Sequence, residues 1–292
     1  MNVTPMTIRV KGLRTRVLVD GLESATRREP VLMIHGVGGW AENWREVMGP
    51  IAATGRRAIA VDLPGFGESE RPGRVRHFGP RDAFYPAFVV ALLDELRFAS
   101  AHVIGHSMGG VVAYMAAVTA PHRVRSLTLA ASGGLGTDIP IFLRLATLPG
   151  VVTLSRLFGR RESAAEVLRS CFFDPARIPA SLYTEADRYG LASFPEFVSA
   201  LRSGVNVRGV RRSLRERWMG DATRYRGPVL VVWGREDTVL PVSHLADVKD
   251  VFPQAEVRII ERCGHLPMIE QTDAFLGAVL PFLGHAEAVV AA

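Results

Sequence analysis

Short apolar runs separated by longer helix-like segments constrain this chain more than any other feature of its sequence. The runs are rich in Val, Ile and Leu and cover residues 31–34, 58–61, 102–104, 127–129, 229–232 and 257–260. Buried strands that alternate with helices are typical of a mostly parallel sheet covered on both faces. The sequence therefore predicts an α/β fold.

Two other segments complete this pattern. Residues 7–10 and 16–19 are β-rich and flank the turn-prone Lys11-Gly12, which predicts an N-terminal hairpin. Between the strands near Ala130 and Val229, the chain holds only helix-like runs, at 164–170, 180–189 and 196–201, punctuated by prolines. Because so long a structureless connection would be unusual in a compact domain, we expect a helical insertion.

These observations predict one large domain with an inserted lid. We expect the α/β core to comprise residues 1–132 and 227–285, the helical lid residues 133–226, and a C-terminal tail residues 286–292. Hydrophobic residues make up 48% of the chain and charged residues 22%, as in packed globular proteins and unlike disordered ones.

The net charge of +6 raises the question of nucleic-acid binding. The basic residues are mostly arginines scattered among acids. The densest groups, 56–57, 160–161 and 211–212, are short and lack interleaved aromatic residues. We therefore expect solvated surface charge and no nucleic-acid partner.

Cysteine content and apolar segments predict the cellular setting. Cys171 and Cys263 are the only cysteines and lie far apart, which indicates neither a disulfide framework nor a zinc site and favours a reducing, cytoplasmic environment. The first residues contain no apolar core of a secretory signal. The most apolar segment, 139–158, is interrupted by Arg144 and Arg156, so we expect a soluble protein without a membrane span.

The strongest motif is G-x-S-x-G, formed by Gly105 to Gly109 with Ser107 at its centre. It follows a strand-like run and precedes a helix-like one. A serine at such a sharp turn adopts a strained backbone, and the flanking glycines remove Cβ atoms that would collide there. An ordinary Gly-rich turn is the alternative, but the flanking elements favour Ser107 as a nucleophile.

A serine hydroxyl needs a base to remove its proton as it attacks. In the chain order that accompanies this motif, an acid and then a histidine follow the serine. Four histidines qualify: His122, His244, His265 and His285. His265 follows the last strand-like run, where a loop brings it to the carboxyl edge of the sheet. His244 follows Pro241 on what we expect to be a solvent-facing helix start.

The acid should follow the preceding strand, and Asp237 does so, with Glu236 as its nearest competitor. Its carboxylate would fix the tautomer of His265 and stabilise the imidazolium. The alternative role for Asp237 is a helix N-cap.

Oxyanion stabilisation needs two backbone N–H groups, and we expect them from Met108, after the nucleophile, and from Val37, in the Gly-rich loop after the first parallel strand.

With these motifs in order, the sequence resembles the α/β-hydrolase superfamily over nearly its whole length. The matching segments are HGVGGWAENW at 35–44, DLPGFGES at 62–69, GHSMGG at 105–110, GRED at 234–237 and GHLP at 264–267. Because residue 107 is Ser and not Asp, the resemblance does not extend to the haloalkane dehalogenase and epoxide hydrolase branches. It implies a structural turn role for Asp62.

Within the serine branch, residues 132–136 and Arg188 are similar to hydrolases that cleave carbon–carbon bonds in meta-cleavage products. His106 and Leu266 depart from that group, which usually has Asn and Trp there. Solvated charge is the alternative role for Arg188. The substrate-contacting residues that we expect are Gly36, Trp40, His106, Arg188 and Leu266.

We therefore predict a serine hydrolase that cleaves esters of apolar acyl or aromatic substrates through an acyl-enzyme, without metal or cofactor. The apolar lid, rich in Leu, Phe and Val, motivates the substrate class. The alternatives are a C–C hydrolase, an acyltransferase or cofactor-free haloperoxidase, and a ligand-binding receptor that retains the three residues.

Overall fold

The structure, a computed structural model, describes residues 2–23, 28–79, 83–153 and 161–291 of the 292-residue chain. Residues 154–160 of the predicted lid and residue 292 of the predicted tail lie outside the described residues.

An eight-stranded sheet forms the centre of the molecule. Its strands are β1 (Thr4–Val10), β2 (Leu13–Asp20), β3 (Val31–Ile34), β4 (Ala58–Val61), β5 (Ala101–His106), β6 (Val124–Ala130), β9 (Val229–Gly234) and β10 (Glu256–Ile260). They lie in the order β1-β2-β4-β3-β5-β6-β9-β10. The N-terminal hairpin pairs antiparallel and joins β4 antiparallel, whereas the remaining pairs are parallel. The predicted hairpin and mostly parallel sheet are confirmed.

Helices cover both faces of this sheet. They include α1 (Arg45–Ala52), α2 (Phe84–Glu95), α3 (Met108–Thr119), α4 (Ile141–Leu145), α5 (Arg161–Ser170), α6 (Ala180–Gly204), α7 (Arg212–Ala222), α8 (Val248–Val251), α9 (Pro267–Glu270) and α10 (Thr272–Ala291). The predicted tail is thus helical as far as Ala291. Among the described residues, no helix has the length and apolar character to cross a membrane.

Strand β3 shows why both faces must be covered. Leu32 and Ile34 join one buried apolar cluster, while Val31 and Met33 join the other. Since successive side chains of a strand point to opposite faces, a strand that is apolar at every position can be stable only between two helical layers.

The regular structure of the described residues between β6 and β9 is helical, with one small exception. Helices α4 to α7 lie here, together with a two-stranded hairpin, β7 (Val205–Asn206) and β8 (Gly209–Val210), that the sequence did not indicate. We call residues 133–226 the insert. Two of its predicted helical runs form the single helix α6, which continues through Pro195. Pro195 removes the N–H that would bond to Leu191, and Leu191 is 60% exposed, so water can solvate the freed carbonyl.

The strand register brings three loops to one edge. His106 pairs with Ala130, Ala130 with Val232, and Ile260 with Gly234. The loops that follow β5, β9 and β10 therefore leave the sheet side by side at its carboxyl edge, the usual position of ligands in open α/β sheets.

Candidate active site

Ser107 lies in the tight turn between β5 and α3, with φ +52° and ψ −118°. A positive φ is strained for a residue with a side chain. Three backbone hydrogen bonds hold the turn. The Ser107 N–H donates to the carbonyl of Ala130 (3.0 Å), and the Ser107 carbonyl accepts from Gly110 (3.0 Å) and Gly133 (2.9 Å). The serine is thereby fixed at the carboxyl edge of the sheet.

Close backbone approach explains the two glycines of the motif. A Cβ atom on Gly105 would lie 2.3 Å from the carbonyl oxygen of Gly109, and one on Gly109 would lie 2.3 Å from that of Ile34. Neither distance is possible without moving backbone. The glycines therefore allow α3 to begin directly against β3 and β5.

His265 and Asp237 form a buried pair. Nδ1 of His265 lies 2.8 Å from Oδ2 of Asp237, and because a carboxylate can only accept, the proton is on Nδ1. Oδ1 of Asp237 accepts from the N–H groups of Val239 and Leu240, each at 2.8 Å. Asp237 thus makes a cap-like turn and orients the imidazole at the same time. Glu236, the competing acid, instead accepts from the N–H of Cys263 (2.9 Å).

His106 connects this pair to the serine. Its ring centroid lies 4.6 Å from that of His265, and its Nε2 lies 2.8 Å from the backbone oxygen of His265, to which it donates. Burial lowers the pKa of His106 well below its usual value because the imidazolium would lose its hydration. His106 is the residue before Ser107. In its neutral form it therefore holds the backbone of His265 next to the serine turn.

The loop after β3 closes the other side of the serine. A Cβ on Gly36 would lie 2.9 Å from both Cβ of Ser107 and Nδ1 of His106. Val37, the next residue, is half-buried. Met108 is the first residue of α3, so its N–H has no partner within the helix. The backbone of Gly36 and the start of α3 therefore flank the hydroxyl-bearing residue.

The protein-family model described as "alpha/beta hydrolase fold" matches residues 29–272 of the sequence. The chain belongs to the alpha/beta hydrolase family. It is 32% identical over 290 residues to the dihydrolipoyllysine-residue acetyltransferase component of the acetoin cleaving system of Pseudomonas putida, covering 96% of this chain and 69% of that protein. It is 31% identical over 272 residues to the 2-hydroxymuconate semialdehyde hydrolase of Pseudomonas sp. strain CF600, covering 89% and 88%.

Solved structures agree with this fold. The meta-cleavage product hydrolase from Pseudomonas fluorescens IP01 superimposes with a TM-score of 0.74 at 24% identity, over 96% of this chain and 98% of that one. The predicted α/β-hydrolase fold and the resemblance to C–C hydrolases are confirmed. The protein is an enzyme of the α/β-hydrolase class.

The structure places the expected substrate-contacting residues of this hydrolase in different settings. Leu266 is buried at the start of α9. Trp40 is also buried, and its Nε1 donates to Oε2 of Glu185 in α6 (2.9 Å). The Arg188 side chain is 65% exposed and pairs with Oε1 of Glu68 at 2.7 Å. Trp40 and Arg188 therefore bind the insert to the core, and neither contacts His265 or Ser107 through a described hydrogen bond.

One minor expectation was wrong. His244 is 6% exposed, whereas we expected it on a solvent-facing helix start. Its ring lies against Gly136, where an added Cβ would come within 2.2 Å of Cδ2. His244 therefore faces the loop that contains Gly136, at the start of the insert. The pattern of neighbouring residues in the sequence cannot show such a distant contact.

Asp62 has the structural role that the resemblance implied. Oδ1 accepts from the N–H of Ala41 (2.7 Å), and Oδ2 accepts from the N–H of Glu68 (2.9 Å) and from Nη1 of Arg16 (3.1 Å). Despite these bonds, burial raises the pKa of Asp62 above its usual value. The carboxylate braces the turn beside the Gly36 loop.

Sequence reasoning missed Glu270, another buried carboxylate, which is 4% exposed. It accepts from the N–H of Gly264 (2.6 Å) and that of Asp174 (2.7 Å). Glu270 follows His265 by five residues, and only its position after the histidine motif could have drawn attention to it. Its partner in the insert is far away in sequence.

One group of described residues could offer three metal ligands, but it lies at the opposite end of β5. Ligand atoms of Glu29, His102 and Glu287 lie within 4.8 Å of one another. Both carboxylates already pair with arginines: Glu29 with Nε of Arg125 (3.1 Å) and Glu287 with Nη2 of Arg56 (2.7 Å). Two guanidinium groups beside the ligands repel a divalent cation, so we assign no metal to this group.

Proposed function

We propose that this α/β-hydrolase cleaves carboxylic esters of apolar acyl or aromatic acids through an acyl-enzyme on Ser107. The observation that carries the proposal is the meeting of two features at one edge of the sheet. Ser107 occupies a strained turn, and His265, held by Asp237, packs on the residue before it. A nucleophile, a base and an orienting acid in this order are the elements of serine hydrolysis.

In this mechanism, the Ser107 hydroxyl attacks the ester carbonyl while Nε2 of His265 takes its proton. The imidazolium is stabilised by Asp237, because the Nδ1–H already points at its carboxylate. Nε2 then donates the proton to the departing alcohol, leaving the acyl group on Ser107. A water activated by His265 releases the acid and restores the hydroxyl.

The backbone N–H groups of Val37 and Met108 would stabilise the oxyanion that forms in each step. Met108 begins α3, whose N-terminal dipole end favours negative charge. Val37 follows Gly36, which packs against Ser107. In comparable enzymes, one such donor changes turnover by roughly 100- to 1000-fold.

Apolar side chains of the insert favour an apolar substrate. Ile139 and Leu143 belong to the same buried cluster as Met108, Val239 and Leu240, so apolar groups extend from the insert to the loops beside Ser107 and Asp237. We propose that residues 133–226 form the lid over this site and that residues 1–132 and 227–285 form the catalytic core. Pockets for small ligands are mostly apolar with few polar groups.

The test compares wild type with Ser107→Ala on a series of p-nitrophenyl esters and on a serine-directed fluorophosphonate. Loss of the nucleophile should lower kcat by about 10⁴-fold or more and abolish labelling. Ser213→Ala, at an exposed position of α7, is the matched control and should behave as wild type. Turnover or labelling of Ser107→Ala at the wild-type level would exclude the proposal, and faster turnover of short charged esters would exclude the substrate class.

A C–C hydrolase is the second candidate, favoured by the 2-hydroxymuconate semialdehyde hydrolase relative. It would use the same three residues on a carbon–carbon bond next to a carbonyl. Loss of the absorbance of a coloured dienoate substrate at a higher kcat/KM than any ester would establish it.

The acetyltransferase component among the relatives makes acyl transfer the third candidate, which would appear as ester products when alcohols are added as acceptors.

A further inference from the structure

The segment at residues 171–174, which we call the base of the insert, lies directly on the loop that carries His265. The carbonyl of Cys171 accepts from the N–H of His265 at 2.7 Å. A Cβ on Gly264 would lie 2.5 Å from that carbonyl oxygen and 2.9 Å from the nitrogen of Phe173. The two stretches of backbone therefore touch beside the imidazole-bearing residue.

Glu270 joins the same two stretches through its carboxylate. Its Oε2 accepts from the N–H groups of Gly264 (2.6 Å) and Phe173 (3.2 Å), and its Oε1 accepts from that of Asp174 (2.7 Å). Hydrogen bonds from N–H groups to an ionised carboxylate are shorter and stronger than neutral ones. One buried side chain thus binds the backbone on both sides of the contact.

The carboxylate is held by backbone N–H groups and not by a cation. Among the described residues, no Lys or Arg forms an ion pair with it, and the nearby Arg177 donates instead to the backbone carbonyl of Glu270 (3.1 Å). A long, flexible cation would tolerate displacement of its partner, whereas three N–H groups on two backbones define one position. The bonding of Glu270 therefore determines where Gly264, and with it His265, can lie.

We propose that Glu270 is a positioning residue for the reaction: it locks the His265 loop to the base of the insert, so that the imidazole stays beside Ser107. The inference rests on the function proposed for Ser107, His265 and Asp237. It also means that residues 171–174, although part of the insert, belong with the catalytic loops.

The decisive variant is Glu270→Gln, which keeps the shape of the side chain. Its amide has one oxygen and one NH₂ group, so at least one backbone N–H must face another donor. Because small displacements of a catalytic group have large effects, we expect kcat on a p-nitrophenyl ester to fall by about 100-fold, with KM within about threefold of wild type. The fluorophosphonate reaction is run to completion, so that it counts every protein with a reactive Ser107 even where labelling is slow, and kcat is expressed per labelled serine.

Glu261→Gln is the matched control. Glu261 follows β10 close to the same loop, but its side chain is 64% exposed and pairs only with Arg235 among the described residues. The same loss of one charge there should leave kcat unchanged. If Glu270→Gln does not fold, Glu270→Asp decides, since it keeps the charge and shortens the reach. A roughly tenfold lower kcat per labelled site would then support the proposal.

Wild-type kcat per labelled site in Glu270→Gln, or in Glu270→Asp where the glutamine variant does not fold, would overturn the positioning role, even if thermal stability fell. So would a change confined to KM, which would indicate a role in the substrate pocket. These outcomes differ from failure of the proposed function, in which Ser107→Ala would retain wild-type turnover whatever Glu270 does.

Discussion

A histidine and carboxylates lie near each end of strand β5, but they are bonded differently at the two ends. At the carboxyl end, His265 is bonded to a carboxylate, and its backbone is held by two neighbours. At the amino end, Nδ1 of His102 lies 2.7 Å from Oγ of Ser126, and its Nε2 has no partner among the described residues. The acids near His102 pair with Arg56 and Arg125.

The comparison shows that a histidine close to a carboxylate is not sufficient to form a functional site. Burial and the nearby arginines lower the pKa of His102 to about 3, so the imidazole is neutral. The neighbouring carboxylates form ion pairs with arginines instead. At the other end, the carboxylate is directed at the imidazole by backbone N–H groups. We therefore expect changes at the carboxyl end to alter turnover and changes at the amino end to alter stability only.

The largest effect should come from Asp237→Asn. The variant can still accept from Val239 and Leu240, so we expect it to fold, but its amide favours the wrong tautomer of His265. Turnover of a p-nitrophenyl ester should fall by about 10⁴-fold. Glu236→Gln, one residue earlier, is the control and should lose less than about tenfold, a margin that allows for its bond to the Cys263 N–H. Equal losses in the two variants would mean that the acid has been assigned to the wrong residue.

A smaller loss is expected from Gly36→Ala. The new methyl group would meet Cβ of Ser107 and Nδ1 of His106 at 2.9 Å, so the serine or the loop must shift. Displacement of this kind should lower kcat/KM by about 100-fold. Gly73→Ala is the control, because an added Cβ there meets no atom within 4 Å. Wild-type activity in Gly36→Ala would show that the loop adapts and that the close contact is unimportant.

At the amino end, we expect a pH effect on stability without an effect on turnover. His102 keeps an ordinary pKa of 6.5 when unfolded and about 3 when folded, so below pH 6.5 the unfolded chain binds a proton that the folded chain does not. Unfolding therefore becomes easier as the pH falls, by about 1.4 kcal/mol per unit at most, until the folded pKa is reached.

Urea unfolding of wild type and His102→Gln at pH 7 and pH 5 measures this contribution. The variant should lose less stability than wild type between the two pH values, by about 2 kcal/mol or less, while its kcat at pH 7 remains that of wild type. An identical pH dependence in both proteins would show that His102 is not buried in its neutral form. A fall in kcat would contradict the separation of the two ends.

Much of this arrangement could be predicted because it depends on residues close together in the chain. The apolar runs predicted the strands, and the glycines around Ser107 predicted a turn too tight for side chains. The order of Ser107, Asp237 and His265 predicted their common edge, because loops after parallel strands meet there. The prediction of His244 as solvent-facing failed, since its burial depends on Gly136, more than a hundred residues earlier.

The sequence by itself determined the class of fold, the strained serine turn and the candidate acid and base, because period, glycine position and chain order are local properties. Only the tertiary structure decided that Asp237 and not Glu236 contacts the imidazole, that Arg188 bonds to Glu68, and that Glu270 binds the base of the insert. These contacts join segments whose separation follows no period, so their partners are chosen by packing and by the need of buried polar groups for hydrogen bonds.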